Sequence, residues 1–387
     1  MTLDEDARGE LDRLQAAHRV RVPRVVDGPQ GPRIVIDGTS VLDLASNDYL
    51  SLANDPRLAA AARASLDEDG VGAGASRLIS GNHRRHVMLE QGLADWLELP
   101  PGSVRAFGSG YAANVGVLSA LLGPDDVVLS DERNHASIID GCRLSRASVR
   151  VFPHGDLAAL EQMLVETAGK KRLVVSESLF SMDGDLADLV GLAALCKRHG
   201  AALMLDEAHA LGTRGPEGRG EAAARNVAPD LLVGTCGKAL GSYGAFVAST
   251  PAITRLLWNR ARSLVFSTAL PPMISAATLA ALQIVRGSDG DARRKALADN
   301  ARALRARVPK LGGIADGAIA PLVVGDDRAA MALSAKLLER GVFVQGIRYP
   351  TVAEGAARLR VSLASSLDSE DLDGVASAFD DALSQPA

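Results

Sequence analysis

The sequence predicts an α/β protein: a large domain with a mostly parallel central sheet, followed by a smaller α+β domain at the C-terminal end. Three observations carry this. Between residues 47 and 286, short apolar runs (SVRAFG, DVVLSD, SVRVFP, RLVVSES, AALMLDEAH, DLLVGT, GAFVAS) alternate with Ala/Leu-rich helical stretches, the rhythm of strand–helix–strand crossovers. Residues able to do chemistry follow five of these runs, and open α/β sheets gather ligands at the carboxyl ends of strands. After residue 286 the rhythm changes to a charged helix and a few strands.

Taken in order, residues 1–46 read as a helix and short strands. Thr2 and Glu5 fit a capping box, and Leu3, Ala7, Leu11 and Leu14 recur at helical spacing, which predicts an amphipathic helix. Pro23, Gly28, Pro29, Gly31 and Pro32 end it. RIVIDG and SVLDLAS read as two strands around a turn at Asp37–Gly38. Residues 47–286 form the large domain. GAFVAS follows the preceding run too closely for a helical crossover and is expected to run antiparallel. Residues 287–387 form the small domain. It has a helix over 288–308 ending near Pro309, a strand near Ala320–Val324 and a helix to about Arg340 stopped by Gly341. VFVQGIR and RLRVSLAS read as strands, and a last helix begins near Ser369.

Composition narrows the function classes. The 387 residues carry Lys+Arg 42 against Asp+Glu 47, a net charge of −5, with 3% aromatic residues. That disfavours a nucleic-acid footprint and base-stacking platforms. Cys142, Cys196 and Cys236 lie far apart with no metal spacing and read as buried free thiols of a reducing compartment. The acidic start MTLDEDARGELDRL lacks the apolar core of a signal peptide. No run approaches the ~18 apolar residues of a membrane span. A cytoplasmic, soluble protein with no membrane or nucleic-acid partner is expected.

The strand-end residues each have a plain and a functional interpretation. Gly108-Ser109-Gly110-Tyr111 is either an ordinary turn or a helix N-terminus presenting N–H groups to phosphate. A dinucleotide fingerprint is disfavoured because its third glycine is missing. Asp206 either caps a helix or pairs with a protonated ring nitrogen. His135 is either an ordinary histidine or a flat ring stacked on a cofactor. Lys238, in a turn with Gly237, Gly241 and Gly244, is either solvated or a Schiff-base lysine that doubles as a base. His83 and His86 have no carboxylate or cysteine in register, so no metal site is expected.

The combination is more specific than its parts. LASNDYLSLA (44–53), GAGASRLISGNHRRHVMLE (72–90), DEAHALGTRGPEGRG (206–220), VGTCGKALGSYGAF (233–246), FSTALPP (266–272) and IRYPTVAEGAARLRVSL (347–363) occur in order. Together they resemble the α-oxoamine synthases, pyridoxal 5'-phosphate (PLP) enzymes of the aspartate-aminotransferase fold, fold type I. The resemblance runs over nearly the whole chain.

The resemblance implies roles residue by residue. Lys238 is expected to hold PLP as a Schiff base, Asp206 to pair with the pyridine nitrogen, His209 to bond the phenolic oxygen and His135 to stack on the ring. Gly110, Tyr111, Ser181 and Thr235 fall at cofactor contacts. Thr268 matches a phosphate contact given by a partner subunit, which implies a homodimer. Arg360 matches the clamp for the amino-acid carboxylate, and Arg19, Asn47, His135 and Thr351 match other substrate contacts. FSTALPP and IR-x-PTV point to the branch that condenses L-alanine with pimeloyl-CoA, or pimeloyl-carrier protein, to 8-amino-7-oxononanoate in biotin biosynthesis. Glycine C-acetyltransferase, or another member with a different amino acid and acyl-CoA, is the alternative. Ser51, Tyr349 and Ala356 depart from the family's common residues.

Overall fold

The computed structural model describes residues 2–384. They fall into two compact units. One holds residues 50–181 and 185–295; the other combines the N-terminal stretch to residue 49, residues 182–184, and the chain from residue 296 on.

The N-terminal stretch opens with the helix Leu3–Ala16, and the capping box forms as expected: the Thr2 side chain accepts from Glu5 N, and Glu5 reaches back to Thr2 N. Its apolar positions, however, stay largely uncovered: no residue of this helix is buried, Leu3 is 87% and Leu11 54% exposed, and Leu14 is partly covered. Strands β1 (Val26–Asp27), β2 (Arg33–Ile36) and β3 (Thr39–Asp43) follow. Asp37 and Gly38 both take positive φ (49° and 82°) between β2 and β3, the geometry a two-residue hairpin loop requires.

Seven strands build the large sheet: β4 (Val104–Phe107), β5 (Val127–Asp131), β6 (Ser148–Phe152), β7 (Arg172–Glu177), β8 (Ala202–Asp206), β9 (Leu231–Thr235) and β10 (Ala245–Ala248). Their order is β4-β10-β9-β8-β7-β5-β6. β10 is antiparallel to both β4 and β9, as the short GAFVAS connection requires, and the pairs from β9 to β6 are parallel.

The period-two alternation of each strand divides the core between two faces. Val128, Leu173, Val175, Met204 and Val233 pack on one side with Ala113, Val117, Ile138 and Leu257. Val127, Leu129, Val174, Leu203 and Leu205 pack on the other with Leu160, Leu164, Leu192 and Leu195. Both faces being covered, the strands read as near-continuous apolar runs. Cys142 lies in the first of these layers and Cys196 in the second; all three thiols are buried and free, and burial pushes them up to about 11 for Cys142 and about 12 for Cys196 and Cys236.

In the other unit, β11 (Ile319–Gly325), β13 (Gln345–Ile347) and β14 (Ala357–Ser362) form a three-stranded sheet, β11-β14-β13. β12 (Val342–Phe343) runs parallel to β3 at the edge of the N-terminal hairpin sheet. VFVQGIR is therefore two strands in two sheets, not one. The break falls at fully buried Val344, whose Cβ faces the core while the chain on either side pairs in different directions. Among the described residues, no helix is long and apolar enough to cross a membrane.

Candidate active site

The parallel strands of the large sheet all point their carboxyl ends the same way, so the residues that end them gather at one edge. Asp131 ends β5, Glu177 ends β7, Asp206 ends β8 and Thr235 ends β9. In register, Glu177 lies opposite Asp206, and Asp206 opposite Val233. A cavity of about 190 Å3 opens there. Its wall includes Gly110, Tyr111, His135, Asp206, His209, Thr235 and Lys238, seven of the residues singled out in the sequence.

Lys238 enters from the Gly-rich turn after β9, and its Nζ lies 2.7 Å from His209 Nε2. Of the DEAH run, Asp206 and His209 turn to the cavity. Glu207 points away, where its two oxygens accept from Glu221 N and Ala222 N at the start of the short helix Glu221–Ala224.

Asp206, 6% exposed, accepts from Asn114 Nδ2 at 2.8 Å and from Ala208 N at 2.9 Å. Asn114 Nδ2 also donates to Ser137 Oγ at 2.9 Å, and Ser137 Oγ lies 2.8 Å from His135 Nδ1. Ser137 N donates to the same Nδ1, because His135 caps the helix Ala136–Ser145. Nδ1 is thereby an acceptor, and the proton of the neutral ring sits on Nε2. Desolvation by the surrounding protein lowers the His135 pKa; Asp206 pulls it up and Lys238 pushes it down, and the net shift is downward. His135 therefore presents a neutral ring.

At the other side of the cavity, Ser109 caps the helix Gly110–Leu121, its hydroxyl accepting from Ala112 N. A Cβ placed on Gly108 or Gly110 would meet nothing within 4 Å. The chain thus leaves open space in front of free helix N-terminal N–H groups, a place suited to phosphate oxygens. Tyr111, half exposed, donates its hydroxyl to Asp140.

Sequence reasoning missed Asn114, Ser137 and Glu177. Glu177 is buried, accepts from Ser181 N at 3.2 Å through Oε2, and leaves Oε1 with no partner. Burial, then the neighbouring charge of Asp206, push its carboxyl up to about 8. Its position at the end of RLVVSES was the available signal; the pairing with Asp206 needs the strand register. Ser181 stands next to the cavity through that contact with Glu177.

The other expected substrate residues belong to the second unit. Arg360, on β14, is buried; it donates to Ser362 Oγ (2.6 Å) and to Tyr49 OH (3.2 Å), and Tyr49 OH donates to Asn47 Oδ1 (3.0 Å). Arg360 and Asn47 are thus brought together through one tyrosine. Arg19 pairs with Asp327 and Glu354, each at 2.9 Å, with its guanidinium 4.4 Å from the Tyr349 ring centre. Thr351 donates its N–H to Arg348 O and lines a cavity of about 820 Å3 with Arg348, Val20 and Met331. Thr268 lies away from the Lys238 cavity, exposed, in a bridge with Ser76.

These features define a class, and sequence comparison agrees: the chain belongs to the aminotransferase class I and II family, whose model matches residues 39–379. Within that class, it is 46% identical to the 8-amino-7-oxononanoate synthase of Geobacter sulfurreducens over 96% of both chains. It is 47% identical to that of Geobacter metallireducens over 94% of both. Among solved structures it is similar to a serine palmitoyltransferase from S. paucimobilis with bound PLP-myriocin aldimine. That likeness has a TM-score of 0.93 and 30% identity, and covers 99% of this chain and 98% of that one. An 8-amino-7-oxononanoate synthase from Francisella tularensis matches with a TM-score of 0.75 and 29% identity, over 89% and 98%. The architecture is PLP-dependent fold type I.

The residues present fit PLP. A primary amine, a buried carboxylate hydrogen-bonded by an amide, a neutral aromatic ring and an open helix N-terminus line one cavity. Asn114 Oδ1 and Glu177 Oε1 are buried there without partners. Among the described residues, no cluster of side chains suits a metal ion.

Proposed function

We propose that this protein is a PLP-dependent C-acyltransferase of the α-oxoamine synthase type. It joins L-alanine to a pimeloyl thioester, on CoA or on a carrier protein, and releases 8-amino-7-oxononanoate, CO2 and the free thiol, a step of biotin biosynthesis. The observation that carries this is the Lys238–His209 pair in one cavity with amide-fixed Asp206. It occurs on a chain 46% identical over nearly its full length to synthases of that activity.

PLP, when bound, supplies an electron sink for the pair left on the amino acid's α-carbon. Lys238 Nζ provides the amine that holds it and, once free, a base for the α-proton. Asp206, unable to leave its Asn114 and Ala208 donors, keeps a proton on a ring nitrogen placed against it. His135 offers a flat neutral face and an Nε2 proton for the thioester carbonyl oxygen. Arg360, its planar fork oriented by Ser362 and Tyr49, clamps the alanine carboxylate. In the net reaction an α C–H bond of alanine breaks and a C–C bond to the acyl carbon forms. The thiolate leaves with a proton, the alanine carboxylate departs as CO2, and the α-carbon takes up a proton in its place.

The same chemistry would serve glycine C-acetyltransferase or a serine palmitoyltransferase. Curated synthases at 46% and 47% identity over nearly their full length favour the alanine and pimeloyl pair. The active form we infer is a homodimer. Val71 (70% exposed), Leu78 (55%), Ile79 (77%) and Phe266 (69%) leave apolar surface uncovered on the unit that carries Lys238, on the segments flanking the Ser76–Thr268 bridge. A cytoplasmic location accords with three free, buried thiols. Product identification by mass after incubation with L-alanine and pimeloyl-CoA tests the assignment.

A further inference from the structure

His154 has no part in the site described so far, yet it is held in an unusual way. It stands in the turn after β6. Its Nδ1 lies 3.0 Å and 3.2 Å from the two carboxylate oxygens of Asp131, and its Nε2 lies 2.8 Å from Asp185 Oδ2. A neutral imidazole has one N–H, and a carboxylate only accepts. Both ring nitrogens face carboxylates at bonding distance, so the geometry calls for two N–H groups and therefore an imidazolium. The edge-to-face ring of Phe180, centroid 4.4 Å away, fixes its plane.

Asp131 is the buried end of β5, anchored by Arg133 N. Asp185 belongs to a different structure, a narrow hairpin over residues 178–187. Ala187 N donates to Ser178 O, Phe180 N donates to Asp185 O, and Leu179 bridges Leu186. That hairpin carries Ser181, which rests on Glu177 in the cavity wall. Its tip, residues 182–184, is the short excursion of the chain into the second unit. We propose that His154 is a positioning residue: as an imidazolium it ties Asp185 to Asp131, and so holds the 178–187 hairpin and Ser181 in place beside the Lys238 cavity.

A pH dependence follows. Burial lowers the His154 pKa, but hydrogen bonds and charge from Asp185 and Asp131, the two charged groups that act on it, raise it by more. A histidine with a raised pKa keeps its clamp at low pH and loses it as pH rises through the raised value. Above that value one of the two carboxylates faces a bare ring nitrogen.

The inference rests on the PLP assignment only for its link to the cofactor. The test compares wild type, His154→Gln and Asp185→Asn, each as full-length protein, between about pH 6 and about pH 9. Two quantities are read: hydrogen exchange of peptides covering 178–187, and the equilibrium dissociation constant of PLP. Wild type should bind PLP roughly tenfold tighter than His154→Gln at the low end, with the ratio falling toward one at the high end. Protection of the hairpin amides, measured against their intrinsic exchange rate at each pH, should fall in wild type over the same range, and in Asp185→Asn the fall should begin at lower pH. Equal affinities at low pH would overturn the proposal. So would a deficit in His154→Gln that is the same at every pH, the mark of a merely structural role. Failure of all three proteins to bind PLP would contradict the cofactor assignment instead, and hairpin exchange would then decide alone whether the clamp exists.

Discussion

Glu177 and Asp206 end adjacent parallel strands as register partners, so two carboxyl groups stand side by side, buried, in the wall of one cavity. Like charges so placed do not both ionise easily in a buried site. Asp206 accepts from the Asn114 amide and the Ala208 N–H; at Glu177, burial and then the neighbouring Asp206 outweigh the backbone donors and Lys238, so it keeps its proton.

A stability consequence follows. The Glu177 pKa is raised from 4.5 to about 8 by burial and by Asp206. The folded state therefore holds a proton that the unfolded chain gives up above pH 4.5, and stability drains away as pH climbs from about 4.5 to about 8. Glu177→Gln keeps the shape of the protonated acid and removes this loss. Scanning calorimetry across that window should find the variant's Tm gaining on wild type as pH rises. Parallel curves would refute the assignment.

Asn114 is the donor that fixes Asp206. Asn114→Ala leaves the buried carboxylate short of one charge-assisted hydrogen bond, worth about 1.5–3 kcal/mol. The PLP dissociation constant should rise by about tenfold or more, followed through the cofactor's visible absorbance.

Lys238→Ala should abolish the visible band that PLP gives with wild type and its sensitivity to borohydride. Full retention of both would remove Lys238 from its role.

The guanidinium of Arg360 is aimed by Ser362 and Tyr49, and a lysine cannot reproduce its two-pronged grip on a carboxylate. Arg360→Lys should weaken alanine binding roughly 10- to 100-fold, a loss of about 1.4–3 kcal/mol. A spectral titration with alanine measures it, and unchanged affinity would count against the clamp.

Ile79 and Phe266 are exposed apolar residues on the surface we assign to the homodimer. Ile79→Glu or Phe266→Glu should shift sedimentation toward monomer with only small loss of thermal stability. A wild type that sediments as a monomer at micromolar concentration would reject the dimer.

Much of this was legible in the residues. Thr2 with Glu5 marked the first helix start, Asp37–Gly38 the hairpin, and the short spacing before GAFVAS its antiparallel direction, because each is a local rule of backbone chemistry. Lys238, Asp206, His209 and His135 stood out because strand ends collect ligands. Glu177, Asn114 and Ser137 were not legible, since their roles depend on strand register and on which turn of a helix meets which strand. VFVQGIR reads as one strand because periodicity carries no information about which sheet a residue joins. The apolar spacing of Leu3, Leu11 and Leu14 marked a helix but not what covers its face.

The central claim is a decarboxylative condensation that needs two particular substrates. The most direct test is thiol release by PLP-loaded protein, across a grid of amino acids with CoA and carrier-protein thioesters. The account predicts release only when L-alanine and a pimeloyl thioester are both present, with 8-amino-7-oxononanoate confirmed by mass. Release with glycine and a short acyl-CoA, or with serine and a long one, would contradict the substrate pair. No release with any pair would contradict the reaction itself.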